Sequence, residues 1–209
     1  MPICYIFAAG SFYGMAERPE AGDLVIAADA GLKYCAAAGV TPDIILGDFD
    51  SLGTPPEGDT VIRLPVEKDD TDTIYALRTG LARGYRDFVI YGGTGGSRAD
   101  HSLANLQGLL FLVSHGARGR IYGDGVVWSV LHNEKIHFPA GGSGTISLFC
   151  IDGIARGVSI RGLKYELSNA EIRSDFPIGV SNSFTGAEAT IEVADGTLIM
   201  IHDIRVRLR

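Results

Sequence analysis

The chain has 209 residues, 46% hydrophobic and 21% charged, with 28 glycines and a net charge of −7. At that length a compact chain buries roughly 70% of its unfolded surface, enough for one large domain or two small ones. No run of lysines or arginines occurs, which argues against a nucleic-acid or membrane-surface role, since both need a basic patch.

Residues 1–9 are apolar, lack a basic leader region and run directly into strand-like sequence, so they read as a first strand at 3–8 rather than a signal peptide. Residues 24–28 form a second continuous apolar run, as expected of a strand buried on both faces of a parallel sheet. Residues 31–38 read as a short helix closed by Gly39, and 43–46 and 61–64 as further strands. Ile74, Leu77 and Leu81 share one face of a predicted helix over 71–83, stopped by Gly84. A strand at 88–91, a long helix at 100–115 ended by Gly116, and a strand from 120 to 122 follow. Repeated strand–helix units imply right-handed crossovers and a mostly parallel sheet with flanking helices.

After Gly123 the pattern changes. Short β-like runs at 126–131, 136–138, 145–149, 157–160, 189–193 and 198–201 alternate with glycine and polar punctuation, and no helix-length amphipathic pattern appears. This predicts an all-β antiparallel sandwich or barrel. The expected fold class is therefore α/β followed by an all-β domain, with residues 1–125 and 126–209 as the two domains.

Cys4, Cys35 and Cys150 are widely spaced, form no C-x-x-C pair and sit in apolar runs. They read as small buried hydrophobes rather than as a disulfide framework or zinc site. The apolar stretch 103–113 is too short to span a membrane. A cytoplasmic location is expected.

Three polar runs carry chemistry. In Gly47-Asp48-Phe49-Asp50-Ser51 the two aspartates are two residues apart at the end of a strand, which points both side chains the same way. Such a pair repels itself unless a cation lies between, although an aspartate turn also accommodates the pattern. Lys68-Asp69-Asp70-Thr71-Asp72 opens the predicted helix; caps and the helix dipole account for one or two of these residues, but not for three aspartates. Asp69 and Asp72 share a face if that turn is helical. In the third run, Gly92-Gly93-Thr94-Gly95-Gly96-Ser97 leads from a strand into a helix that begins with Arg98, Asp100 and His101, with Asn105 four residues beyond. A glycine loop at a helix start aims backbone N–H groups at an anion. Carboxylates beside such a loop suit magnesium and a polyphosphate. Neither a Walker-type loop nor a dinucleotide fingerprint after the first strand is present.

In this order and at these separations, the three runs resemble the G-D-x-D-S, K-D-x-T-D and G-G-R-x-D-H-x-x-x-N runs of the thiamine pyrophosphokinase family. Ala28-Asp29-Ala30-Gly31, Gly162-Leu163-Lys164-Tyr165 and Val180-Ser181-Asn182 are similar to further family elements. Two features depart from the pattern: Ser97 adds a residue before Arg98, and Tyr165 stands where some members have tryptophan.

The resemblance implies an N-terminal Rossmann-like ATP/magnesium domain and a C-terminal β-sandwich for thiamine binding and dimerisation. It also implies transfer of pyrophosphate from ATP to thiamine by a homodimer with the site at its interface. It assigns Asp48, Asp50, Asp69 and Asp72 to magnesium, with Asp100 joining them or orienting the thiamine hydroxyl. Asp29, Ser51, Lys68, Thr71, Gly95, Gly96, Arg98, His101 and Asn105 would bind ATP; Tyr165, Ser181 and Asn182 would bind thiamine. The alternatives are a pyrophosphokinase for another alcohol, a non-catalytic thiamine or nucleotide binder on the same scaffold, and a dinucleotide-dependent oxidoreductase. The last is suggested only by the glycines at 92–96 and leaves the aspartates unexplained.

Overall fold

The apolar runs of the first half become strands covered on both faces. In the computed structural model, whose described residues are 1–49, 57–67 and 69–206, the chain divides into two compact units, Met1–Asp124 and Gly125–Arg209. The first unit holds β1 (Ile3–Phe7), β2 (Leu24–Ala28), β3 (Ile44–Gly47), β4 (Val61–Arg63), β5 (Asp87–Tyr91) and β6 (Arg118–Tyr122). All pairings among them are parallel, in the order β6-β5-β1-β2-β3-β4. Every residue of β2 and β5 is buried, which is why these segments read as unbroken apolar sequence.

Among the described residues three α-helices, α1 (Leu32–Ala38), α2 (Asp72–Ala82) and α3 (Ala99–Ser114), and a single 3-10 turn at Asp29–Gly31 accompany the strands. Gly39 ends α1 in the left-handed conformation, with φ +66° and ψ +38°. Thr71 caps α2, its Oγ1 accepting from Ile74 N at 3.2 Å; such a cap stabilises a helix by about 1 kcal/mol. The chain builds outward from β1 through β2, β3 and β4, then returns to add β5 and β6 on the other side. The strand order thus reverses between β1 and β5, where open α/β sheets leave a crevice beyond their carboxyl ends.

The second unit is entirely β: β7 (Val126–His132), β8 (Lys135–Phe138), β9 (Thr145–Cys150), β10 (Ile154–Arg161), β11 (Leu167–Arg173), β12 (Asn182–Ser183), β13 (Ala189–Glu192) and β14 (Thr197–Asp203). They form two antiparallel arrays, β12-β9-β14-β7 and β11-β10-β13-β8. Alternate residues of β9 (Ile146, Leu148, Cys150) meet alternate residues of β10 (Val158, Ile160), together with Phe138, Ile191, Leu198 and Met200, in one buried apolar cluster. Two sheets sharing one core make a sandwich.

Sequence periodicity misses β11 and β12. In β11 only Ile172 is buried, and Leu-Ser-Asn-Ala-Glu carries no alternation; β12 has two residues. The first strand is indeed residues 3–7, and Cys4, Cys35 and Cys150 are free and buried. Burial pushes the Cys35 thiol up to about 12, which makes it inert. Among the described residues, no helix is long and apolar enough to cross a membrane.

Candidate active site

A cavity of about 230 Å³ opens at the reversal of strand order, bounded by residues that follow β1 (Ala9, Gly10), β2 (Asp29), β3 (Asp48) and β5 (Gly93, Gly95). The start of α2 supplies Asp70, Thr71 and Asp72; the first turns of α3 supply His101, Ser102 and Asn105. The cavity therefore gathers Asp29, Asp48, Thr71, Asp72, Gly95, His101 and Asn105 from segments that are far apart in sequence.

One wall is acidic. Asp29 directly follows β2 and holds a left-handed backbone, φ +47°, as does Phe49 beside Asp48, φ +59°. Non-glycine residues adopt this conformation at a cost of order 1–3 kcal/mol, and such strain collects at functional sites. The carboxylates of Asp29, Asp48, Asp70 and Asp72 all line the cavity.

Helical spacing proves the wrong guide to the second polar run. Thr71 is extended, φ −70° and ψ 156°, so α2 starts only at Asp72. Without a helical turn the i,i+3 relation between Asp69 and Asp72 does not arise. Asp70, Thr71 and Asp72 all line the cavity, while Asp69 is exposed and absent from its lining. Asp70 also pairs with Arg78 of α2 at 3.2 Å. Asp50, Ser51 and Lys68 lie outside the described residues.

Much of the remaining lining is neutral. Gly10 N donates to Gly92 O (2.8 Å) and Ser11 N to Thr94 O (2.9 Å), so the segment after β1 is bonded along the glycine run. Only glycine fits at two points there. A Cβ on Gly92 (φ +66°) would lie 2.3 Å from Ala8 O, and one on Gly95 (φ +75°) would lie 2.5 Å from Tyr13 Oη. His101 and Asn105, one turn apart on α3, both face the cavity; Asn105 is buried and its Nδ2 donates to Gly93 O at 2.8 Å. Asn105 therefore fixes the glycine run to the helix.

Arg98 and Asp100 stand apart from this lining. They are exposed and bound to each other, Nη2 to Oδ2 at 2.6 Å and Nε to Oδ1 at 3.0 Å. The hydrogen bonds from Arg98 hold the Asp100 carboxyl at about 2, below the usual carboxylate range. Gly96 is likewise outside the lining. Conversely, Ala9, Gly10, Val66 and Ser102 line the cavity outside the three polar runs, and Asp70 does so from within the second run; for Ala9 and Gly10 the usable signal is their place just after the first strand of a parallel sheet.

Tyr165, Ser181 and Asn182 belong to the second unit. Tyr165 is 58% exposed, with Lys164 Nζ 5.2 Å from its ring centre. Ser181 is left-handed, φ +61°, and its N–H donates to Ser147 Oγ at 3.0 Å. Asn182 is buried, and its amide is engaged by the backbone of Tyr165.

Among the described residues, no three His, Cys, Asp or Glu side chains converge tightly enough to cage a metal ion. Four carboxylates spread along one wall suit a different arrangement, in which a hard cation takes one or two carboxylates and completes its shell with phosphate oxygens and water. Magnesium is bound in this way.

The sequence profile of the thiamin pyrophosphokinase catalytic domain matches residues 17–119, and that of the thiamin pyrophosphokinase vitamin B1 binding domain matches residues 133–198. No curated protein sequence matches the chain. Among solved structures, the thiamine pyrophosphokinase of Bacillus subtilis is 25% identical, with a TM-score of 0.84 over 96% of this chain and 98% of that one. That of Geobacillus thermodenitrificans is 24% identical, with a TM-score of 0.78 over 96% and 97%. That of Candida albicans is 14% identical, with a TM-score of 0.78 over 97% and 88%; these last two likenesses speak for the fold. With both profiles in chain order, together spanning most of its length, the chain belongs to the thiamin pyrophosphokinase family.

Proposed function

We propose that the protein transfers the pyrophosphoryl group of ATP to the hydroxyethyl oxygen of thiamine, giving thiamine diphosphate and AMP. The observation that carries this reading is one cavity that gathers four aspartates (Asp29, Asp48, Asp70, Asp72) and a stretch of the glycine run at the sheet's strand-order reversal. An acidic wall alone repels a triphosphate; with divalent cations between, it holds one.

In this reading Asp48, Asp70 and Asp72 hold magnesium, with Asp50 of the same sequence run as a further candidate. When bound, the ion neutralises phosphate charge as it develops. The glycine wall and the start of α3 donate N–H groups to phosphate oxygens and hold the β-phosphorus in line with the acceptor. The thiamine oxygen bonds to the β-phosphorus, and the bond from that phosphorus to the oxygen bridging the α-phosphorus breaks, so AMP leaves. Asp100, held at about 2 while paired with Arg98, is a poor acceptor for the hydroxyl proton. The hydroxyl proton ends in the bulk buffer, and no side chain is assigned as its acceptor, in keeping with a phosphoryl transfer driven by alignment and electrostatics.

We further place thiamine on Tyr165, with Ser181 beside it, and read the working form as a homodimer with the site at its interface. Support for a second copy comes from an exposed apolar strip on the second unit, with Phe176 63%, Ile178 55% and Val180 43% exposed, in a segment that leads into edge strand β12. Three free buried cysteines fit a cytoplasmic setting.

The test is to incubate the protein with ATP, magnesium and thiamine and separate the products. Equal amounts of AMP and thiamine diphosphate are expected. Formation of ADP, or of thiamine monophosphate, sinks the assignment.

A further inference from the structure

We infer that Thr73 is a nucleotide-binding residue, its hydroxyl and its backbone N–H donating to a phosphate oxygen of the magnesium-bound triphosphate at the start of α2. This rests on the reading of the cavity as an ATP site.

Thr73 is the second residue of α2 and lines the cavity. It heads the buried face of that helix, which continues through Ala76, Leu77 and Gly80. Those three positions carry no polar side chain, so a hydroxyl at the head of the same face is the exception. Helical side chains lean toward the N-terminus of their helix, which directs this one toward the entrance of α2 rather than along the core.

Both donors of Thr73 are unused. In the first turn of α2, Ile74 N donates to Thr71 Oγ1 at 3.2 Å and Tyr75 N to Thr71 O at 3.0 Å. Thr73 N comes before the first intrahelical bond and has no partner among the described residues. A helical threonine can turn its hydroxyl back to the carbonyl four residues earlier, as Thr79 does to Tyr75 O at 2.8 Å. Thr73 makes no such bond, and no other described group takes its hydroxyl. The residue is only 7% exposed, yet that oxygen is not sealed from solvent. The open space it borders is the cavity.

Charge decides what binds there. An N–H and an O–H from one residue at a helix start suit an anion. Asp70 and Asp72 line the same cavity and repel a bare anion, so the ligand is one that arrives with a divalent cation. Neither lysine nor arginine occurs among the described residues of the lining. Phosphate oxygens not held by the cation therefore turn to neutral donors. A hydrogen bond to a charged acceptor is roughly twice as strong as a neutral one.

The experiment is calorimetric titration of magnesium–ATP into the wild-type protein, Thr73→Val and Thr73→Ser without thiamine, followed by steady-state kinetics and an unfolding midpoint on each. Thr73→Val keeps the shape and the backbone N–H and removes the hydroxyl. It should bind at least roughly tenfold more weakly, as the loss of one hydrogen bond to a charged group predicts. The KM for ATP should rise in step, while the KM for thiamine stays put and the midpoint is no lower than that of the wild type. Thr73→Ser, which keeps the hydroxyl, should retain wild-type affinity. A Thr73→Val protein that binds as tightly as a binding-competent wild type, or a Thr73→Ser protein that binds as weakly as Thr73→Val, overturns the inference and leaves the ATP site standing. A wild-type protein that shows no binding of magnesium–ATP overturns both.

Discussion

Asn182 grips Tyr165 from both sides of its backbone: Tyr165 N donates to Asn182 Oδ1 at 2.9 Å, and Asn182 Nδ2 donates to Tyr165 O at 2.6 Å. Ser183 N occupies the second lone pair of the same Oδ1, at 2.9 Å. With its carbonyl oxygen engaged twice, we propose that Asn182 serves thiamine binding by holding Tyr165 in place. Asn182→Ala should raise the KM for thiamine about tenfold with little change for ATP, and should cost about 1–3 kcal/mol of stability, because buried backbone groups lose their partners. Equal rises in both KM values would refute this division of labour.

Glu17 is tied to the sheet of the first unit by Arg120, whose Nε and Nη2 donate to its two carboxylate oxygens at 2.9 and 2.6 Å, while Nη1 donates to Asp87 at 2.7 Å. Tyr122 Oη donates to Glu17 as well. The Arg120 side chain is only 22% exposed, so deleting it removes a partly buried cation shared by Glu17 and Asp87, although Asp87 keeps its pair with Arg118. Arg120→Ala should destabilise the protein by about 3 kcal/mol in urea unfolding. Removal of Arg78 from its far more exposed pair with Asp70 should cost under about 1 kcal/mol.

The pairing of Arg98 with Asp100 sets an acid limit. A carboxyl whose folded value is depressed contributes stability above its unfolded value, ~3.9, and loses it as pH falls toward the folded value. For Asp100 that window runs from ~3.9 down to about 2. Carboxyl NMR should give a midpoint near the lower figure, and Arg98→Ala should return it to the ordinary range. A midpoint already ordinary in the wild type would mean that the pair is open in solution.

His202 on β14 gives a second pH dependence of the same sign. Burial depresses its pKa, and its Nδ1 donates to Asp203 O at 2.9 Å, which leaves Nε2 buried with no partner for an added proton. The stabilisation is whole above the ordinary imidazole value, ~6.5, and is lost as pH falls below it. The stability of the wild type against unfolding should therefore fall between pH 7 and 5 more than that of His202→Asn. Parallel losses in the two proteins would contradict the assignment.

The α/β half was legible in the sequence because strands buried on both faces leave continuous apolar runs; Leu24–Ala28 is buried throughout. The polar edge strand Leu167–Arg173 leaves no such trace. At the site, the Asp48 and His101/Asn105 readings needed only the ends of a strand and a helix. That Asp70 rather than Asp69 lines the cavity was not legible, because the helix begins only after Thr71, which is extended.

The most direct measurement is the rate of AMP and thiamine diphosphate formation by Asp48→Asn beside the wild type, with unfolding midpoints taken on the same preparations. Asp48 lines the acidic wall, and the substitution preserves its shape while removing its charge. The rate should fall at least about 100-fold, as for loss of one charge-stabilising group at a transition state, with the midpoint unchanged. A folded variant that makes thiamine diphosphate at the wild-type rate would contradict the placement of the chemistry in this cavity.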